Sequence, residues 1–237
     1  MYQKQESLTR RVKTGVSGLD ELLEGGLIPN STVLLKGDCG SGKTIFGLQF
    51  LIQGALHGEP GILLSIEETR EDILRESARF GWNLEALEKQ GKLAIIERQT
   101  QYSLTISELE KTARRLKAKR AVIDSIPALF SGYPSELLSH EMRAAFLVLC
   151  QLLTNSCNCT VILITEAAWS KSVSYEEYVP KGVLELQSKM IEGVNRKFLL
   201  VKKMREVRHS RRMHLYEITE KGFIIFIPRE FQMRDID

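Results

Sequence analysis

Cysteine is scarce in this 237-residue chain, with four in all: Cys39, Cys150, Cys157 and Cys159. Their spacing fits neither a paired C-x-x-C zinc site nor a secreted disulfide framework, so reduced thiols are expected. No apolar run reaches the length of a membrane span, and Met1-Tyr2-Gln3-Lys4-Gln5-Glu6-Ser7 lacks the apolar core of a signal peptide. A cytoplasmic protein is the expectation. Proline is also sparse, at six residues, and neither a Pro/Ser/Gly-rich linker nor an internal repeat divides the chain. With 43 % hydrophobic residues, the length suits one α/β domain with a full core, spanning 1–237. The net charge of +3 is too small to imply nucleic acid by itself. Its distribution is less even, because Arg196, Lys197, Lys202, Lys203, Arg205, Arg208, Arg211 and Arg212 crowd the late chain with only Glu206 among them.

What is present is a loop. Gly37-Asp38-Cys39-Gly40-Ser41-Gly42-Lys43-Thr44 reads G-x-x-x-x-G-K-T and follows the apolar run Val33-Leu34-Leu35. Glycines let consecutive backbone N–H groups curl around a phosphate without side-chain obstruction, and the helix opening at Lys43 adds its positive end. Lys43 supplies a charge that reaches the β- and γ-phosphates, and the Thr44 hydroxyl is placed to ligate Mg²⁺. The pattern predicts a nucleoside triphosphate site. Cys39, inside this loop, is the thiol whose position bears on function.

Apolar runs and amphipathic segments alternate along the chain, which predicts strands and helices around a mostly parallel sheet. Helices are expected over Thr44–His57, Thr69–Phe80 (with Thr69 and Asp72 as a capping box), Leu104–Ala118 and Leu137–Thr154. Buried strands are expected at Ile62–Ile66, Leu93–Ile96, Ala121–Ser125 and Thr160–Glu166. Beyond these, Val183–Gln187, Lys197–Lys203, His214–Ile218 and Phe223–Ile227 read as short strands of an antiparallel extension on one sheet edge. The basic run Arg114-Arg115, Lys117 and Lys119-Arg120 reads as solvated surface before a strand.

That strand, Ala121-Val122-Ile123-Asp124-Ser125, ends in a carboxylate. Asp124 beside the phosphate loop is expected to hold Mg²⁺ through water, the Walker B arrangement. Hydrolysis also needs a group that positions the attacking water. Glu67 and Glu68, at the end of the strand after the first helix, are the candidates; the competing reading is a solvated turn that favours the following helix N-terminus. His57, His140 and His214 show no evident partner. Cys150, Cys157 and Cys159 read as buried or half-buried thiols.

Together these segments resemble the RecA superfamily and, within it, the KaiC-like ATPases, over about Arg11 to Pro228. Thr14-Gly15-Val16-Ser17-Gly18-Leu19-Asp20-Glu21-Leu22-Leu23-Glu24-Gly25-Gly26-Leu27 is similar to the family's opening signature, Glu67-Glu68-Thr69 to its E-E-T motif, Phe80-Gly81-Trp82 to its F-G-W turn beside the nucleotide, and Val122-Ile123-Asp124-Ser125 to its V-x-D-S strand. The resemblance implies a RecA-like P-loop core, ATP rather than GTP, and Glu67 and Glu68 as water-activating carboxylates. It also implies a regulatory hexameric ring with nucleotide between subunits. Lys203-Met204-Arg205 followed by His209 resembles the family's K-x-R-G-T-S-H segment, which makes Lys203 and Arg205 the cations reaching a neighbour's nucleotide, as an arginine finger does. Two departures stand out. Glu206-Val207-Arg208 replaces G-T-S, implying slow hydrolysis or a differently built contact between subunits. Glu176-Glu177 stands where the clock protein carries a phosphorylated Ser-Thr pair, so self-phosphorylation is not expected. Two other functions stay open: a nucleotide-gated module that binds a protein partner with little hydrolysis, and a RecA-like recombinase or helicase motor that uses the basic cluster on DNA or RNA. The second is less favoured because the nearby aromatics, Phe198 and Tyr216, make no evident stacking platform.

Overall fold

The computed structural model describes residues 10–99, 101–131, 140–166 and 175–227. Leu137, Leu138 and Ser139 of one expected helix, the His140 and Glu176 side chains, and Pro228 lie outside the described residues. Nine strands form one sheet in the order β3-β2-β4-β5-β1-β6-β7-β8-β9. They are β1 (Thr32–Gly37), β2 (Gly61–Ser65), β3 (Leu93–Glu97), β4 (Arg120–Asp124), β5 (Thr160–Glu166), β6 (Gly182–Ile191), β7 (Val194–Met204), β8 (Met213–Thr219) and β9 (Gly222–Ile225). The helices are α1 (Leu19–Leu22), α2 (Lys43–Leu56), α3 (Arg70–Ala78), α4 (Leu84–Lys89), α5 (Tyr102–Leu116), α6 (Ile126–Phe130), α7 (His140–Gln151) and α8 (Tyr175–Tyr178). A π-helical turn, Leu152–Ser156, continues α7.

The parallel strands are near-continuous apolar runs because both of their faces are covered. Alternate residues of β1 serve two separate cores: Val33 and Leu35 join Phe46, Phe50 and Leu51 of α2. Leu34 joins Leu109, Phe130 and Phe146 on the other face. α5 buries Thr105, Leu109, Thr112 and Ala113, one stripe at helical spacing.

The expected architecture is therefore present, with a mostly parallel sheet and a C-terminal antiparallel extension. One boundary moves. β6 was expected to be antiparallel, yet it pairs parallel to β1 from Val33↔Gly182 to Gly37↔Leu186. Antiparallel pairing begins only with β7, and β6 and β7 are long rather than short, at 10 and 11 residues. Periodicity marks strands without naming their neighbours. α3 ends two residues before Phe80, and its N-cap is as expected, with Thr69 Oγ1 accepting from Asp72 N at 3.2 Å.

The basic run before β4 is not uniformly solvated. Lys119 is exposed, but Arg120 is 2 % exposed and begins β4. Its guanidinium donates to Glu59 Oε2 at 2.9 and 2.7 Å, to Phe50 O at 2.7 Å and to Lys13 O at 2.8 Å. It also lies 4.6 Å from the centroid of the Phe50 ring. Four hydrogen bonds to three acceptors, together with an aromatic face, make burial of this charge tolerable.

Candidate nucleotide site

β1, β2, β4 and β5 run the same way, so their carboxyl ends deliver Gly37, Ser65, Asp124 and Glu166 to one edge. The loop after β1 turns there into α2. Gly42, with φ of 90°, occupies the position before the helix, and an added Cβ would collide with Ile218 Cδ1. The positive φ is what favours glycine there, and the Ile218 side chain would have to move for any larger residue. Tyr216 fixes the loop from β8, its hydroxyl donating to Ser41 O at 2.8 Å while its ring stacks on Phe223 at 4.2 Å. From β7, Lys197 Nζ donates to Gly40 O at 2.8 Å.

The resulting cleft holds about 310 Å³. Cys39, Gly40, Gly42, Lys43, Thr44, Glu67, Glu68 and Asp124 line it, as the sequence suggested. Thr44 Oγ1 donates to Asp124 Oδ2 at 2.7 Å. Lys43 Nζ donates to Gly37 O at 2.9 Å and Asp38 O at 2.8 Å, within its own loop. Ser41 Oγ is buried and has no hydrogen-bond partner among the described residues. The oxygens of Thr44 and Asp124, one hydroxyl and one carboxylate, suit a hard divalent cation such as Mg²⁺.

Electrostatically the cleft is strained toward negative charge. Burial pushes the Asp124 carboxyl above the ordinary carboxylate range, against the Thr44 hydrogen bond and Lys43, with Glu67 and Glu76 adding to the rise. Glu68 is raised as well, by burial first and then by Glu76, Asp124, Asp72 and Glu67. Such crowding favours a cation or a proton-accepting role. Sequence reading missed Glu76 and Glu166, which also line the cleft. For Glu76 the available signal was its place on α3, four residues after Asp72.

The remaining site candidates lie elsewhere. Gly81 and Trp82 line a separate depression with Leu74, Ala78 and Asn83, and Trp82 stacks on Phe80 at 4.8 Å. Lys203, Met204, Arg205 and His209 line a third, open depression of about 520 Å³ on the β7 side. Lys203 Nζ donates there to the carbonyls of Glu177 (2.9 Å), Tyr178 (3.1 Å) and Pro180 (2.7 Å). Arg205 Nη2 donates to Tyr178 O at 3.2 Å. Met204 is buried, and His209 Nδ1 pairs with Ser210 O at 3.2 Å. Val207, in the segment that departs from G-T-S, is buried in the core. Two histidines expected to be partnerless have partners: His57 Nδ1 meets Gln53 O at 2.8 Å, and His214 Nε2 meets Ser210 Oγ at 2.7 Å. Cys150 and Cys159 are buried, Cys157 is half-buried, and Cys39 is exposed. No described helix is long and apolar enough to cross a membrane.

Known proteins are similar to this chain in sequence and in fold. The family model described as "ATPase: KaiC" matches residues 12–230. A UPF0273 protein of Pyrococcus horikoshii is 34 % identical over 92 % of this chain and 95 % of its own. The circadian clock protein KaiC2 of Synechocystis is 33 % identical over 95 % of this chain, in a match spanning 42 % of that protein. Among solved structures, a KaiC-like protein from Pyrococcus horikoshii OT3 superimposes with a TM-score of 0.84 at 37 % identity, covering 92 % of this chain and all of that one. A RecA-like α/β core with a phosphate loop, matched over more than nine-tenths of the chain by these relatives, places the chain in the KaiC family of P-loop ATPases.

Proposed function

We propose that this chain binds ATP with Mg²⁺ and hydrolyses it as a regulatory enzyme, one ATPase unit with its core at about residues 11–228, assembled as a hexameric ring. The observation that carries this reading is the meeting of Lys43, Thr44, Glu67, Glu68 and Asp124 in one cleft at the carboxyl edge of the sheet.

The backbone of Gly37, Asp38, Cys39, Gly40, Ser41, Gly42, Lys43 and Thr44 wraps the phosphates, and the N-terminus of α2 points its dipole at them. Lys43 exchanges its two loop carbonyls for phosphate oxygens. Thr44 and Asp124, the latter through water, would hold Mg²⁺, which would supply positive charge beside the phosphates. Glu67 and Glu68 orient and deprotonate the attacking water; a carboxyl lifted toward neutrality, as Glu68 is, makes the stronger base. Lys203 and Arg205, with Met204 and His209 beside them, serve the nucleotide of the neighbouring subunit. That they line a depression other than the cleft of their own chain fits that role.

Lys203 and Arg205 are engaged on their own backbone, and this favours a second reading in which ATP is held as a switch for a protein partner and turned over little. Nucleic acid is not part of the proposal, since Tyr216 is buried against Phe223 and several cations of the basic cluster are engaged. Binding of ATP and GTP with and without Mg²⁺, followed by phosphate release from wild type, Lys43→Ala and Glu67→Gln, tests the proposal. ATP-selective, Mg²⁺-dependent release lost in both variants supports it. Tight ATP retention without release, equal in wild type and Glu67→Gln, would support the second reading instead.

A further inference from the structure

The short helix α8 is where the two cations of the third depression are anchored. Lys203 donates to the carbonyls of Glu177, Tyr178 and Pro180, and Arg205 to that of Tyr178. What holds α8 itself is the Glu177 carboxylate. It accepts from Lys36 Nζ of β1 at 2.9 Å and from Lys202 Nζ of β7 at 2.7 Å. Both Glu177 and Lys36 are largely shielded, with side chains 17 % and 12 % exposed, so these ion pairs are screened less than surface ones. Burial opposes the charge of Glu177, but the two ammonium groups outweigh it and hold the carboxyl below its ordinary range.

Four cations, Lys36, Lys202, Lys203 and Arg205, thus converge on one four-residue helix. An ionised carboxylate at its centre keeps them from repelling one another and fixes the carbonyls that Lys203 and Arg205 grip. We propose that Glu177 is a positioning residue for hydrolysis at the neighbouring subunit's nucleotide: by pinning α8 between β1 and β7 it sets where Lys203 and Arg205 stand, and it touches no substrate. This rests on the reading of those two cations as acting between subunits. Lys36 immediately precedes Gly37, so loss of Glu177 could instead disturb the phosphate loop of its own subunit. The test separates these routes.

Glu177→Gln is expected to lower kcat by about ten- to a hundredfold, the effect of a small misplacement of a group acting on the transition state. KM for ATP stays within about twofold, because uniform binding in the subunit's own cleft is retained. Lys202→Met moves kcat in the same direction. The deciding experiment uses mixed rings, co-expressed with two tags and purified through both. Lys43→Ala subunits bind no nucleotide but offer intact cations to a neighbour. Combined in equal amounts with Glu177→Gln subunits, they recover about a quarter of the wild-type rate, since one head-to-tail interface in four pairs an intact cleft with intact cations. A Lys203→Ala and Lys43→Ala mixture is the control. If the control recovers and the Glu177→Gln mixture does not, Glu177 acts within its own subunit and the inference is overturned. If neither mixture recovers, or no mixed assembly passes both tags, the intersubunit reading of Lys203 fails and the role of Glu177 falls with it. Should Glu177→Gln not fold, Lys202→Met in the same mixture decides the matter.

Discussion

Replacing Arg120 by Met removes a charge that ties three parts of the chain together beneath the cleft. The guanidinium joins the start of β4 to α2 through Phe50, to the N-terminal segment through Lys13, and to the loop before β2 through Glu59. β4 ends in Asp124 and α2 begins with Lys43, so the clamp holds the two elements that shape the site. Burial pulls the Arg120 pKa below its usual value, against the opposing effect of Glu59, so its charge is costly without those partners. Breaking such a buried pair costs about 3–5 kcal/mol. The lower half applies here, because the Glu59 side chain is 24 % exposed and water can reach it. For a domain of this size about 2–4 °C is lost per kcal/mol, giving a Tm lower by roughly 6–16 °C. Thermal unfolding of wild type, Arg120→Met, Arg120→Lys and Arg120→Met/Glu59→Leu measures it. Arg120→Lys should rescue little, because an ammonium cannot span acceptors arranged for a planar fork. The double variant should be more stable than Arg120→Met alone, since no unpaired carboxylate remains. An Arg120→Met Tm within about 2 °C of wild type would refute the clamp.

Glu68→Gln should raise the Tm of the nucleotide-free protein at pH 8 and hardly change it at pH 4. The folded-state pKa of Glu68 lies above its unfolded value, so charging it in the folded state costs stability. That cost is absent below the unfolded pKa and complete above the folded one; a larger gain at low pH would contradict this sign. Gly42→Ala should abolish ATP binding and cost about 1–3 kcal/mol of stability, because alanine is strained at a φ of 90° and its Cβ meets Ile218. Titration calorimetry and urea unfolding check the two effects. Iodoacetamide should label Cys39 first in the native protein and more slowly when ATP is bound, whereas Cys150 and Cys159, whose thiols burial pushes up to about 12, stay unlabelled. Peptide mass mapping reads this, and ATP-independent labelling of Cys39 would place nucleotide outside the cleft.

The cleft was largely legible because its residues are local motifs on predictable elements. Lys43 and Thr44 open a helix after a buried strand, Asp124 closes β4, and Glu67-Glu68 follow the end of β2, which runs in the same direction. What was hidden depends on pairing between distant segments. Nothing in the composition of β6 says that it lies beside β1, whose residues pair with it from 149 positions earlier, as in Leu186↔Gly37. Arg120 read as the end of a basic surface run because its partners, Lys13, Phe50 and Glu59, come from three other places in the chain. Lys203 read as a cation reaching a neighbour's nucleotide, and its contacts within the chain stayed hidden because those acceptors lie 23 to 26 residues away. α6 was within reach: Ser125 caps it, accepting from Ala128 N, and Pro127 occupies its first turn.

Phosphate release from the wild-type chain, measured at saturating ATP and Mg²⁺ across protein concentration beside Lys43→Ala, tests the composite site most directly. A specific rate that climbs with protein concentration to a plateau, and is absent in Lys43→Ala, is the predicted result. A wild-type rate no higher than that of Lys43→Ala at every concentration would contradict it.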